Sequence, residues 1–176
     1  MAGIDVSSLF SVSGKVALVT GGSRGIGRMM ADGLIQAGAT VYVSSRKQDA
    51  CDRTAAELCA HGPCHSLPAD VAIEEGRAAL VEAIAAREPC LHILVNNAGA
   101  AWGAPYAEYP AAAFDKVLRL NVAAPFLLTR DLTPLLERGA ADGDPARVIN
   151  VGSMDGLQVQ QRVGTGTFAY SASKAA

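Results

Sequence analysis

Short runs of β-branched and aliphatic residues alternate along this chain with longer amphipathic stretches. "KVALVT" (15–20), "ATVYVS" (39–44), "CHSLPA" (64–69), "LHILVN" (91–96) and "RVINVG" (147–152) read as strands. Between them, apolar positions recur at helical spacing. In the first helix Ile26, Met30, Leu34 and Ala37 form the stripe and Gly38 supplies the stop; in the third the stripe is Leu80, Val81, Ile84 and Ala85. The strand runs are apolar on both faces, as in a parallel sheet covered on both sides. Strand and helix in strict alternation predict an α/β fold, a doubly wound parallel sheet with right-handed crossovers. Residues 15–176 form one domain behind an N-terminal extension of residues 1–14, without internal repeats.

Composition narrows the function classes. Half of the 176 residues are hydrophobic, enough for a substantial core. The net charge is −2 and the basic residues are scattered, so neither nucleic acid nor an acidic membrane surface is an expected partner. "MAGIDVSSLFSVSG" has no basic residue before Lys15 and no sustained apolar run, unlike a secretory signal, and no later segment is long and apolar enough to span a bilayer; a cytoplasmic protein is expected. "CAHGPCH" gathers Cys59, His61, Cys64 and His65. Structural zinc sites draw ligand pairs from separated segments, so a helix-to-strand loop ended by Gly62 and Pro63 is the preferred reading, and no metal is expected.

Ligands of such sheets bind at the carboxyl ends of the strands. The first strand runs into "TGGSRGIG", with Gly21, Gly25 and Gly27 at the turn into a helix, flanked by Ser23, Arg24 and Ile26. Glycines there permit a tight turn, close approach to a pyrophosphate and helix–strand packing, while the helix N-terminus offers free N–H groups. A plain tight turn is the alternative. After the second strand a carboxylate would select NAD through the ribose 2′-hydroxyl. Here "SSRK" follows, and Ser45, Arg46 and Arg24 would instead clamp a 2′-phosphate, pointing to NADP(H); each arginine is otherwise a solvated helix-start charge. The third strand ends at Asp70-Val71, where Asp70 would accept from the adenine amino group. The fourth ends at Asn97, Ala98 and Gly99, a small-residue wall beside the ribose; both also read as turn chemistry.

With "TGGSRGIG", Asp70-Val71, "NNAG", Asn121, Ser153 and Tyr170 with Lys174 in this order, the chain resembles the N-terminal two-thirds of a short-chain dehydrogenase/reductase, Rossmann-like in fold. The resemblance implies that the glycine loop and Asp70-Val71 hold the adenine half of the cofactor, and that Asn121, Ser153, Tyr170 and Lys174 form a catalytic tetrad. The chemistry is consistent with that. Reducing a ketone takes a hydride at carbon and a proton at oxygen. A phenol is a poor acid near neutrality unless a nearby ammonium favours its anion. Lys174 stands one helical turn from Tyr170 and would also hold the nicotinamide ribose, while Ser153 would stabilise charge on the substrate oxygen.

Asn121 precedes Pro125 by four positions, and proline has no N–H to offer the Asn121 carbonyl. If the stretch is one helix, that carbonyl is free to hold a water linking Lys174 to solvent; if Pro125 begins a new helix, Asn121 caps it. Seventeen positions separate Ser153 from Tyr170, a long interval for the family, and "LQVQQRVGTGTF" is expected to be an insertion at the pocket mouth. Family members continue beyond the Tyr-Lys segment, so a fragment lacking the segment that covers nicotinamide and substrate is expected. "NNAGAAWGAPYAEYP" is similar to 3-oxoacyl reductases of the rhamnolipid-pathway type, implying a 3-oxoacyl thioester as the small-molecule carbonyl substrate; Trp102 and Tyr106 either line an apolar pocket or pack in the core. The alternatives are an NAD-linked alcohol or sugar dehydrogenase and a non-catalytic nucleotide-binding protein. The helix expected around 114–138 is apolar beyond one face, so self-association through it is expected, as a homodimer or homotetramer if the chain is full length.

Overall fold

The computed structural model describes residues 11–158 and 166–176. Five strands, β1 (Val16–Thr20), β2 (Thr40–Ser44), β3 (Cys64–Ser66), β4 (Ile93–Asn96) and β5 (Arg147–Asn150), form one parallel sheet in the order β3-β2-β1-β4-β5. The order reverses between β1 and β4, where Leu18 pairs with Leu94, and such a switch point opens a crevice at the strands' carboxyl ends. All five strands lie where the hydrophobic runs predict them, shorter by up to three residues. The largest trim is in β3, where Pro68 has no N–H for the ladder, although the Leu67 and Ala69 amides still reach Val43 and Ser45 carbonyls at 2.9 and 3.0 Å.

Alternate side chains along β1 feed two cores. Val16 and Leu18 join Leu94, Ile84, Leu128 and Leu132 on one face. Ala17 and Val19 join Val41, Val43, Ile35 and Leu58 on the other. Helices α1 (Gly25–Gln36) and α2 (Gln48–Leu58) cover the second face; α3 (Glu74–Ala85) and α5 (Ala124–Gly139) cover the first. Each fully buried leucine contributes about 1.5–3 kcal/mol, so the paired cores hold the sheet rigid beneath the crevice.

The inward face of α1 differs from the expected stripe. Gly27, Ala31 and Ile35 point inward, whereas Ile26 is 65% exposed and Ala37 is exposed. The helix lies so close to β1 that only small residues fit beneath its first turns, and a Cβ on Gly27 would meet the Gly21 carbonyl and the Asn97 amide. Met30 and Leu34 pack at the flank of this core instead. In α3, Leu80 and Ile84 are buried as expected, Ala85 is exposed, and Arg77 is buried.

The helix expected across 114–138 is three pieces: α4 (Ala111–Leu118), a π turn (Arg119–Ala123) and α5. Pro125, the second residue of α5, cannot donate to the Asn121 carbonyl, and the backbone widens here so that the Ala124 N–H bonds the Arg119 carbonyl. Asn121 therefore lies inside a π turn and does not cap a helix. The last helix, α6 (Phe168–Ala175), packs against α4, the π turn and a 3₁₀ turn (Met154–Gly156). At the start of the described chain Gly14 N–H bonds the Gly38 carbonyl at 3.1 Å and Val12 packs on the core, so residues 11–14 of the extension are docked. No helix among the described residues is long and apolar enough to cross a membrane.

Candidate active site

The turn from β1 into α1 is shaped by glycine where the geometry demands it. Gly21 and Gly25 have φ of 65° and 55°, the left-handed region, and a Cβ on Gly21 would lie 2.8 Å from Asn97 Nδ2 and 3.0 Å from Ala98 Cα. The loops after β1 and β4 therefore touch backbone to backbone. Thr20, not singled out by the sequence, ties them: its Oγ1 donates to the Val95 carbonyl at 3.1 Å and accepts the Asn97 and Ala98 N–H groups at 3.0 and 3.1 Å. Asn97 Nδ2 donates back to the Thr20 carbonyl at 2.9 Å. Beyond this knot the α1 N-terminus has no side-chain cap and no acidic residue in its first turn, leaving its N–H groups and partial positive charge facing the crevice.

Arg24 immediately precedes α1 and Arg46 follows β2; both are exposed, and neither forms an ion pair with a carboxylate among the described residues. The Ser45 carbonyl accepts Ala69 N–H at 3.0 Å and its Oγ donates to the Lys47 carbonyl at 3.4 Å, while the Ser23 carbonyl accepts Thr54 Oγ1 at 2.9 Å. Asp70 turns back on its own loop, its Oδ1 accepting Ala72 N–H at 3.0 Å, and Val71 is buried. The loop tied by Cys59 to Cys64 carries no shared centre. Cys59 Sγ bonds the Cys64 carbonyl at 3.0 Å, His61 pairs with Asp32 at 2.6 Å, His65 stacks on Tyr42 at 4.9 Å, and burial pushes the Cys64 thiol up to about 12.

On the other side of the switch point the amide of Asn121 acts as a clasp. Its Oδ1 accepts Ala100 N–H and its Nδ2 donates to the Ala100 carbonyl, both at 2.9 Å, and Nδ2 also donates to Ser173 Oγ at 2.9 Å. Ser173 Oγ in turn donates to the Tyr170 carbonyl at 2.7 Å. The side chain expected to join a tetrad thus positions the loop after β4 against α6, and a Cβ on Gly99 would sit 3.4 Å from its Oδ1. Ser173 is an unforeseen member of this chain of bonds. So is Asn96, which donates to Thr129 Oγ1 at 3.1 Å and Asn150 Oδ1 at 2.9 Å, bracing β5 against β4 and α5.

Tyr170 and Lys174 share one face of α6, with the Lys174 ammonium 5.8 Å from the centroid of the tyrosine ring. Its bond goes to the Val151 carbonyl at 2.6 Å, just past β5. Ser153 begins the 3₁₀ turn and accepts the Asp155 N–H at 3.2 Å, and Gly156 of that turn lies against the Lys174 carbonyl with no room for a Cβ. Of the interval expected as an insertion, residues 159–165 lie outside the described residues. Its far end is anchored, since Gly166 and Ala104 exchange N–H···O bonds at 3.0 and 3.2 Å and Phe168 packs edge-on against Tyr106 and Tyr109. Trp102 and Tyr106 are exposed beside this bridge and are not core residues. A cleft of 870 Å³ between α5 and β5 reaches Asn121, Ser173 and Lys174 from behind; Tyr170 and Ser153 are not in its wall.

Known proteins share this sequence and fold. The chain is 47% identical over 167 residues to the rhamnolipids biosynthesis 3-oxoacyl-[acyl-carrier-protein] reductase of Pseudomonas aeruginosa, covering 95% of this chain and 64% of that protein. It is 36% identical to a 2-dehydro-3-deoxy-D-gluconate 5-dehydrogenase of Formosa agariphila, covering 94% of this chain and 61% of that one. Its fold superposes with a TM-score of 0.90 and 46% identity on the Pseudomonas aeruginosa RhlG/NADP active-site complex, across 94% of this chain and 64% of that one. A 3-oxoacyl (acyl-carrier-protein) reductase of Agrobacterium tumefaciens with NADP bound superposes with a TM-score of 0.84 at 28% identity, over 98% and 64% of the two chains. This chain spans 61–64% of the length of these relatives. The short chain dehydrogenase family model matches residues 15–176, from the first residue of the first predicted strand onward. With every strand and helix of the described fold inside that match, the chain belongs to the short chain dehydrogenase family.

Proposed function

We propose that this chain carries the cofactor-binding and catalytic part of an NADPH-dependent reductase that converts a ketone, of the 3-oxoacyl thioester class, to a secondary alcohol. The observation that carries the reading is α6, which presents Tyr170 and Lys174 one turn apart and is clasped through Ser173 and Asn121 to the loop after β4. The cradle suits a dinucleotide. A Cβ at Gly21 or Gly27 would push apart the loops that build it, the α1 N-terminus offers N–H groups to a pyrophosphate, and Arg24 and Arg46 offer cations to a 2′-phosphate. Asp70, with one carboxylate oxygen used by its own turn, keeps the other for the adenine amino group.

When bound, NADPH supplies the hydride. Tyr170 gives the proton to the nascent alkoxide, Ser153 donates its hydroxyl to the same oxygen, and Lys174 favours the phenolate left behind while holding the ribose hydroxyls. The Asn121 carbonyl, deprived of a donor at Pro125, is where a water would return a proton through Lys174. The similarity of this chain to 3-oxoacyl reductases supports the substrate class.

The test is turnover of a 3-oxoacyl thioester by the full-length protein, with NADPH and with NADH, for wild type and Tyr170→Phe. Removing a positioned acid lowers kcat by about 10²–10⁴-fold. We expect that loss with NADPH affinity retained. Preference for NADH, or faster oxidation of a sugar alcohol than reduction of the thioester, would overturn the assignment.

A further inference from the structure

Arg77 is the one buried arginine among the described residues, 7% exposed in the first turn and a half of α3. No carboxylate among the described residues pairs with it, and its Nε lies buried without a hydrogen-bond partner. A buried cation carries a desolvation cost that an apolar side chain of similar volume would avoid. Among the described residues the Arg77 side chain makes one hydrogen bond: Nη1 donates to the Val71 carbonyl at 3.1 Å.

That carbonyl belongs to the loop carrying Asp70. The loop is folded onto the start of α3 by three further features. Ala72 N–H bonds Asp70 Oδ1 at 3.0 Å, Ile73 N–H bonds the Asp70 carbonyl at 3.3 Å, and Gly76 lies against the Asp70 carbonyl with no room for a Cβ. The Arg77 N–H closes the set on the Ile73 carbonyl at 3.2 Å. The α3 N-terminus has no side-chain cap. The guanidinium adds a further tie to the loop from inside the helix.

We propose that Arg77 is a positioning residue of the adenine subsite, holding the Val71 carbonyl so that the free oxygen of Asp70 stays aimed at the crevice. The proposal rests on the NADP reading of the site. It requires that loss of Arg77 weaken the adenosine half of the cofactor selectively, because the Tyr170 end is held by separate bonds through Asn121, Ser173 and Val151.

The experiment is titration of full-length wild type, Arg77→Met and Arg77→Lys with adenosine 2′,5′-bisphosphate, at a temperature where circular dichroism shows all three folded. A lost charge-assisted hydrogen bond predicts roughly tenfold weaker binding by the methionine variant. Lysine, which keeps a donor but not the planar fork, should restore part of the affinity. The KM for NADPH should rise in parallel while kcat at saturating cofactor holds. If wild type binds and Arg77→Met binds equally well, with only its melting temperature lowered, Arg77 is structural and the proposal fails. If wild type itself does not bind the bisphosphate, the cofactor reading fails and takes the proposal with it.

Discussion

The two halves of this site are held in different ways. On the nucleotide side, β1 is buried along its whole length and the loops after β1 and β4 are laced through Thr20 and Asn97, with glycines wherever one backbone presses on another. On the catalytic side, Val148 and Ile149 of β5 are 40% and 46% accessible within this chain, and the tyrosine helix packs on α4 and the π turn through a separate set of ties: Asn121 to Ser173, Lys174 to Val151, and Gly156 against the Lys174 backbone. The first half is a preformed cradle whose geometry is part of the fold's stability. The second half is held by ties of its own, so a substitution there is expected to displace Tyr170 without unfolding the sheet.

The sharpest way to break that contrast is a matched pair of glycine substitutions. Gly27→Ala forces a Cβ into the Gly21 carbonyl and the Asn97 amide, both fixed by their own bonds, and overpacking of this kind costs about 3 kcal/mol. A large fall in melting temperature with loss of NADPH binding is expected. Gly156→Ala forces its Cβ into the Lys174 carbonyl, where α6 can shift on its separate ties. Here kcat should drop far more than nucleotide affinity, since of the cofactor contacts only those of the Tyr170–Lys174 face are disturbed. If both variants lost stability and nucleotide affinity alike, the two halves would be a single cooperative unit and the contrast would be wrong.

A smaller effect comes from Thr20→Val, which keeps the shape of the side chain and removes the oxygen. The Asn97 and Ala98 N–H groups lose their acceptor at a buried position, costing about 2 kcal/mol. Urea unfolding would measure the loss, and NADPH titration should show weaker binding in step with it. Stability unchanged would mean that the loops are held by the glycine contacts alone.

Thr20 also marks where sequence reasoning stops. The five strands were legible because parallel strands buried on both faces are written as β-branched runs, and the glycine loop because left-handed φ and missing Cβ atoms leave few choices of residue. The inward face of α1 does not follow the apolar stripe. Hydrophobicity ranks Ile26 above Gly27, yet the approach of the helix to β1 is set by what is too small to collide. Asn121 was recognised as a site residue, but its amide holds loop and helix together through Ala100 and Ser173, partners 21 and 52 positions away that no local pattern announces. Arg77 was hidden for the converse reason: a charged residue on a helix reads as solvated until the packing shows otherwise.

The mildest perturbation lies at the foot of the sheet, far from both halves, and serves as the control for them. His92 accepts the Val16 N–H on Nδ1 at 3.0 Å, and burial, aided by the Lys15 charge, holds its imidazole below the ordinary value of 6.5. The unfolded chain therefore takes up a proton at a pH where the folded chain does not. By linkage the His92 contribution is complete above 6.5 and is lost as pH falls from there toward the lower folded value. Asp144 and Asp32, both lowered by hydrogen bonds to their partners, act in the carboxylate range below 3.8. His92→Asn, whose side-chain carbonyl can still accept the Val16 N–H, should flatten the stability profile just below pH 6.5 without altering NADPH affinity. Urea midpoints at about pH 7.5 and about pH 5.5 would show it. An unchanged slope would mean that protonation of this ring is not what the fold resists, and a changed nucleotide affinity would mean that the foot of the sheet and its crevice are coupled after all.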